Sequence, residues 1–146
     1  MIGAEQRVRV LMVEDSSDDL LMLEAALEQG SAPIDLHVVT DGDAATRFLR
    51  REGEFADAAR PDLILLDLNL PRKDGREVLL EVKLDPDLRR IPIIVLTTSG
   101  AERDIVESYQ HGANAYITKP FELDELFSAV RKFEDFWIKL ARLPPE

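Results

Sequence analysis

Four short groups of residues have the types and spacing to act together chemically: Glu14-Asp15, Asp67, Thr97-Thr98-Ser99 and Lys119-Pro120. Each group follows a short, largely apolar run, VRVLMV before Glu14, LILL before Asp67, IPIIVL before Thr97 and AYIT before Lys119. If those runs are strands of one parallel sheet, their carboxyl ends share an edge, which is where open α/β sheets bind ligands. Three neighbouring carboxylates repel one another unless a cation neutralises them or some are protonated. All-oxygen donors, with no cysteine and no histidine pair in the chain, suit a hard ion, Mg2+ rather than Zn2+, with Mn2+ or Ca2+ as substitutes. Lys119 would add a further positive charge that can contact phosphate oxygens. A carboxylate beside Mg2+ and an ammonium is a reasonable phosphoryl acceptor, because both cations offset charge on the transferred group. Asp67 ends the central run and is the expected acceptor, with Glu14 and Asp15 as expected metal ligands.

The elements that must position these residues can be read along the chain. Val8–Val13 reads as a buried strand, followed by Ser16 and Ser17 as candidate helix N-caps and by Asp18 and Asp19, first-turn charges that suit the helix dipole. Leu20, Leu23, Ala26 and Leu27 fall at helical spacing, and Gly30 ends that helix. Ile34–Val39 is a second strand, and Asp41-Gly42 opens a helix whose inner face is Ala44, Ala45, Phe48 and Leu49. The run 62–67 is a third strand; Asp74-Gly75 marks a loop before a helix carrying Val78, Leu79 and Val82, which Pro86 closes. Ile91–Leu96 is a fourth strand, a helix covers Ala101 to His111, and Ala115–Thr118 is a fifth strand that Pro120 cuts off. A last helix is expected from about Glu122 to Ala141. Strands alternating with helices imply right-handed crossovers and a doubly wound, five-stranded parallel sheet covered on both faces, within a single α/β domain over 1–146.

Taken in order, Glu14-Asp15, Leu-Leu-Asp67-Leu-Asn69-Leu-Pro71, Lys73-Asp74-Gly75, Thr97-Thr98-Ser99 and Tyr116-Ile-Thr-Lys119-Pro120 closely resemble the receiver domain of two-component response regulators. The resemblance runs from Arg9 to about Trp137. The stretch from Asn69 to Val78, Asp85-Pro-Asp-Leu-Arg89 and the aromatic C-terminus look most like the small stand-alone regulators paired with bacterial phytochromes. The resemblance implies a flavodoxin-like receiver fold with Asp67 phosphorylated by a phosphohistidine on a sensor kinase. It implies Mg2+ bound by Asp15, Asp67 and the backbone carbonyl of Asn69, with Glu14 acting directly or through water. It further implies that Lys119 pairs with a phosphoryl oxygen and that the hydroxyls of Thr97 and Thr98 serve the phosphoryl-binding loop. Thr97 would draw that loop inward, Tyr116 would swing into the space vacated, and the Lys119–Pro120 bond would be cis. Glu14 stands where many members have Asp.

Composition bounds the alternatives. With 29 acidic against 18 basic residues the net charge is −11, against a nucleic-acid-binding surface. The absence of cysteine excludes a disulfide framework and fits a reducing compartment. No apolar run is long enough for a signal peptide or a spanning helix, so a cytoplasmic location is expected, with no membrane partner. His37 and His111 are too isolated to suggest metal ligation. An aspartyl-phosphate phosphatase of haloacid-dehalogenase type wants a second aspartate two positions after the nucleophile, where this chain has Asn69. A nucleotide or flavin site wants a Gly-rich first turn, where this chain has the acidic Glu14-Asp-Ser-Ser17. A role as signalling phosphoacceptor rather than enzyme is therefore expected, either switching protein contacts or passing the phosphoryl group on within a multi-step relay. In the last helix, Leu126, Val130, Phe133, Trp137 and Leu140 advance by alternating fours and threes. Such a helix, about 30 Å long, exceeds what a five-strand sheet needs. Either the helix packs on its own domain with a ragged end or, the sharper expectation, Phe133, Phe136, Trp137 and Leu140 project past the domain and bury against a second copy, forming a homodimer, with Leu143-Pro144-Pro145 as a terminal arm.

Overall fold

Strands covered on both faces must be apolar throughout. β3 (Leu63–Leu66) meets that condition throughout and β4 (Ile93–Thr97) up to its last residue, with every residue of both buried. In the computed structural model, which describes residues 7–145, they lie inside a five-stranded sheet with β1 (Val8–Val13), β2 (Ile34–Val39) and β5 (Ala115–Thr118). The order is β2-β1-β3-β4-β5 and every pairing is parallel. This is the flavodoxin-like order, in which the chain leaves β1 toward one edge and later crosses to the other, so the carboxyl ends of β1 and β3 flank the switch point.

Alternation along the strands divides the core in two. Leu11, Val13, Ile64 and Leu66 face α2 (Gly42–Arg50) and α3 (Gly75–Leu84), while Val10, Met12, Leu63 and Leu65 face α1 (Ser17–Gln29) and α5 (Leu123–Phe133). Each fully buried aliphatic side chain of this kind contributes about 1.5–3 kcal/mol. Local signals set the helix starts. Ser16 Oγ accepts from the Asp19 amide at 3.2 Å to cap α1, and Asp41 Oδ1 accepts from the Ala44 amide at 2.7 Å to cap α2. The start of α3 needs glycine, since a Cβ on Gly75 would collide with the Asp67 carbonyl, so the helix begins against the backbone of the acceptor loop. α4 (Glu102–Gln110) packs beside β5. His37, exposed on β2, lies tilted at 41° to the Phe48 ring with centroids 4.5 Å apart. Among the described residues, no helix is long and apolar enough to cross a membrane.

The C-terminal helix departs from expectation. It is α-helical only to Phe133 and continues as a π-helical segment, Glu134–Leu140, in which the Ala141 amide reaches back to the Phe136 carbonyl at 2.7 Å. The wider turn rotates the inward face by about one residue per turn. After Phe133 the buried positions are therefore Glu134 and Ile138, not Trp137 and Leu140. Phe133 does not project past the domain, as its spacing suggested; it is 6% exposed in its own core, packed with Leu23, Leu126 and Val130. Trp137 is half-buried against the same core, which leaves Phe136 and Leu140 exposed.

Candidate functional site

β1, β3 and β5 each end one residue before Glu14, Asp67 and Lys119 respectively, so the parallel sheet brings these three side chains to one edge. All three are buried, with 2%, 8% and 5% exposure respectively. The Lys119 ammonium is the hub. It donates to Glu14 Oε1, to Asp19 Oδ2 at 3.0 Å and to Asp67 Oδ2 at 3.2 Å. The other Asp67 oxygen, Oδ1, accepts from the Asn69 amide at 3.2 Å, which orients the carboxylate as the chain leaves the sheet. The Lys119 amide donates to the Thr97 carbonyl at 2.7 Å, tying the ends of β4 and β5 together.

The electrostatics follow from burial. Desolvation raises the Glu14 pKa to about 7; the Asp67 charge pushes the same way, while hydrogen bonds from Lys119 and the Ser16 amide pull it down. Burial alone would lower the Lys119 pKa, but its bonds to Glu14 and Asp19, with the charge of Asp67, outweigh that and leave it above the ordinary lysine value. The site thus holds one firmly protonated ammonium among more negative charge than it can balance.

Not every expected residue joins this cluster. Asp15 is exposed at the mouth of the site, with no side-chain partner among the described residues. Among those residues, no group of three Asp, Glu or His side chains is arranged to hold a metal ion, and the Lys119 ammonium binds both Glu14 and Asp67. The donor chemistry nonetheless fits a hard divalent ion, offering oxygen donors only in a pocket with excess negative charge. Thr97 is fully buried at the end of β4, with its Oγ1 3.5 Å from the Ser99 amide, whereas Thr98 and Asn69 are exposed. Tyr116, half-buried, donates its hydroxyl to the Ser99 carbonyl at 2.8 Å. The Lys119–Pro120 bond corrects an expectation: no peptide bond among the described residues is cis. Trans is the lower-energy isomer even before proline, and the Lys119 side chain and amide make all their contacts in that form. Asp19 was missed as a site residue because the first-turn charge rule accounts for it fully. Its signal was its place three residues after the cap Ser16, which turns the carboxylate back toward the strand ends.

Comparison with known proteins agrees with this geometry. A family profile described as the response regulator receiver domain matches residues 10–131. The response regulator Rcp1 of Synechocystis is 47% identical over 135 residues, covering 92% of this chain and 92% of Rcp1. A crystal structure of the Mn2+-bound form of Rcp1 superposes with a TM-score of 0.90 at 46% identity, covering 94% of this chain and 99% of that one. The phosphorylated cyanobacterial phytochrome response regulator RcpA superposes with a TM-score of 0.92 at 49% identity, covering 96% and 100%. Sheet order, the carboxylates around Lys119 and the match over most of the sequence together place this chain in the response regulator receiver family.

Proposed function

We propose that the protein is a signalling phosphoacceptor of the Rcp1 kind, taking a phosphoryl group on Asp67 from the phosphohistidine of a sensor kinase. The observation that carries this reading is Asp67 itself, a buried carboxylate at the carboxyl end of the central strand with Lys119 Nζ 3.2 Å away. An Asp67 oxygen attacks phosphorus, the P–O bond forms as the P–N bond to the kinase imidazole breaks, and the freed imidazole nitrogen takes up a proton. Lys119, with Nζ 3.2 Å from Asp67 Oδ2, would pair with a phosphoryl oxygen on that carboxylate. Glu14, Asp15, Asp67 and the Asn69 carbonyl are the residues that would hold Mg2+, or Mn2+ or Ca2+ in its place. When bound, the ion neutralises charge on the transferred group and lowers the electrostatic barrier to attack. Thr97, buried at the end of β4, would turn its hydroxyl to the phosphoryl group, with Thr98 beside it, and Tyr116 would follow the loop. Likeness to Rcp1 and RcpA over most of both chains supports a phytochrome-type sensor kinase as the partner, working in the cytoplasm. Exposed Phe136 and Leu140, with Trp137 beside them, support a homodimer. Acetyl phosphate or beryllofluoride with Mg2+ is expected to modify one site, and Asp67→Asn to abolish that modification. Modification that persisted in Asp67→Asn would overturn the assignment.

A further inference from the structure

The loop between β4 and α4 is held almost entirely through one residue. Among the described residues, 98–100 make no backbone-to-backbone hydrogen bond outside regular elements. Ser99 instead uses all its polar groups. Its amide lies 3.5 Å from Thr97 Oγ1, its carbonyl accepts from the Tyr116 hydroxyl at 2.8 Å, and its own hydroxyl donates to Asp104 Oδ2 at 2.6 Å. That hydroxyl also accepts from the Ala101 amide at 3.3 Å. Asp104, in the first turn of α4, is in turn held by Arg76 from the first turn of α3, Nη2 to Oδ1 at 2.9 Å, while Arg76 Nη1 spans both oxygens of Asp74 at 3.2 Å. The ion pair is largely sheltered, with side-chain exposure of 34% for Arg76 and 17% for Asp104. The Ser99 and Arg76 bonds hold the Asp104 carboxyl below its ordinary range.

We infer that Asp104, anchored by Arg76, is a positioning residue for the switch: through Ser99 it locks Thr97 and Tyr116 to one loop conformation and sets how strongly that loop resists a phosphoryl group on Asp67. The inference rests on the phosphoacceptor reading. Thr97 cannot turn toward Asp67 without leaving the Ser99 amide, and Ser99 cannot follow without straining its charge-assisted bond to Asp104. A ligand drawing Thr97 inward therefore works against the Arg76–Asp104 pair, and weakening that pair is expected to tighten the ligand.

The test uses the full chain with Mg2+ and beryllofluoride, following adduct formation by fluorine NMR and the Tyr116 ring by carbon-edited NMR in a Tyr109→Phe background. Ser99→Ala and Asp104→Asn are expected to lower the half-saturating beryllofluoride concentration by about fivefold or more, with the free Tyr116 signal already displaced toward its bound position. Ser99→Thr, which keeps the hydroxyl, is expected to behave as the parent. Unchanged half-saturation in Asp104→Asn, or equal shifts in Ser99→Ala and Ser99→Thr, would overturn the inference while leaving Asp67 as acceptor. Failure of the parent chain to form any adduct would overturn the phosphoacceptor reading, and this inference with it.

Discussion

Lys119 is a single cation facing three carboxylates, and the arrangement makes its loss informative. Removing one partner of a buried ion pair leaves uncompensated charge and typically costs about 3–5 kcal/mol. Lys119→Ala leaves Asp67 and Glu14 buried together with nothing between them. The variant is expected to lose roughly that much stability in metal-free buffer and to recover much of it with Mg2+, since the carboxylates remain to attract the ion. Urea unfolding with and without Mg2+ measures both effects. Beryllofluoride should still bind Lys119→Ala but no longer move Tyr116. Metal-free stability equal to the parent's, or a full Tyr116 response, would show that the ammonium is not the hub that its distances describe. Asp67, Glu14 and Lys119 were legible because each interrupts a run too apolar to end in a charge without a reason. Asp19 was not, because a first-turn acid already has a sufficient role in the helix dipole.

At the scale of elements, the strands followed from their apolar runs and the inner faces of α2 and α3 from periodicity, since Ala44, Ala45, Phe48, Val78, Leu79 and Val82 are all buried as their spacing required. The end of the last helix did not. A 4-3-4-3 pattern presumes 3.6 residues per turn, and a π-helical segment breaks that presumption without any marker residue in the sequence. The rotated face carries Glu134 inward, 1% exposed, against Gly30 at the end of α1, where any side chain would collide with its carboxylate. Arg131 Nη1 pairs with Oε1 at 3.1 Å and Nη2 bonds the Ala26 carbonyl, while Oε2 has no partner among the described residues. Burial raises the Glu134 pKa above its ordinary 4.5, against the pull of Arg131 and Lys139. The folded chain therefore binds a proton more tightly than the unfolded one, so this group's contribution to stability falls as pH climbs from 4.5 through the raised value. Glu134→Gln removes that penalty. As pH climbs from 4.5 through the raised value, its stability relative to the parent should rise, as read by urea unfolding with Trp137 fluorescence. A difference that stayed constant with pH would mean that Glu134 is not titrating in that range.

For the whole molecule, the rotated C-terminal face determines which side chains are free to join two copies. Phe133 is already committed to the core, so a chain ending before it would lose packing as well as any interface. Phe136 and Leu140, 50% and 70% exposed, can change without touching that core, and Phe136 meets Trp137 edge-on with centroids 5.1 Å apart. Association on this surface would bring together two chains that each carry −11. Apolar contact would then favour the dimer while long-range repulsion opposes it, and only the second is screened by salt, over a Debye length of about 10 Å at 0.1 M. Sedimentation equilibrium should therefore show a dimer that tightens as salt rises, the reverse of an interface held by ion pairs. The double variant Phe136→Ser, Leu140→Ser should be monomeric at every salt concentration while unfolding, at dilutions where the parent is monomeric too, within about 0.5 kcal/mol of the parent, as surface changes do. A dimer that survived both substitutions would place the contact elsewhere on the fold. One that weakened with salt would show that charge complementarity, not the exposed aromatic end of the last helix, holds the copies together.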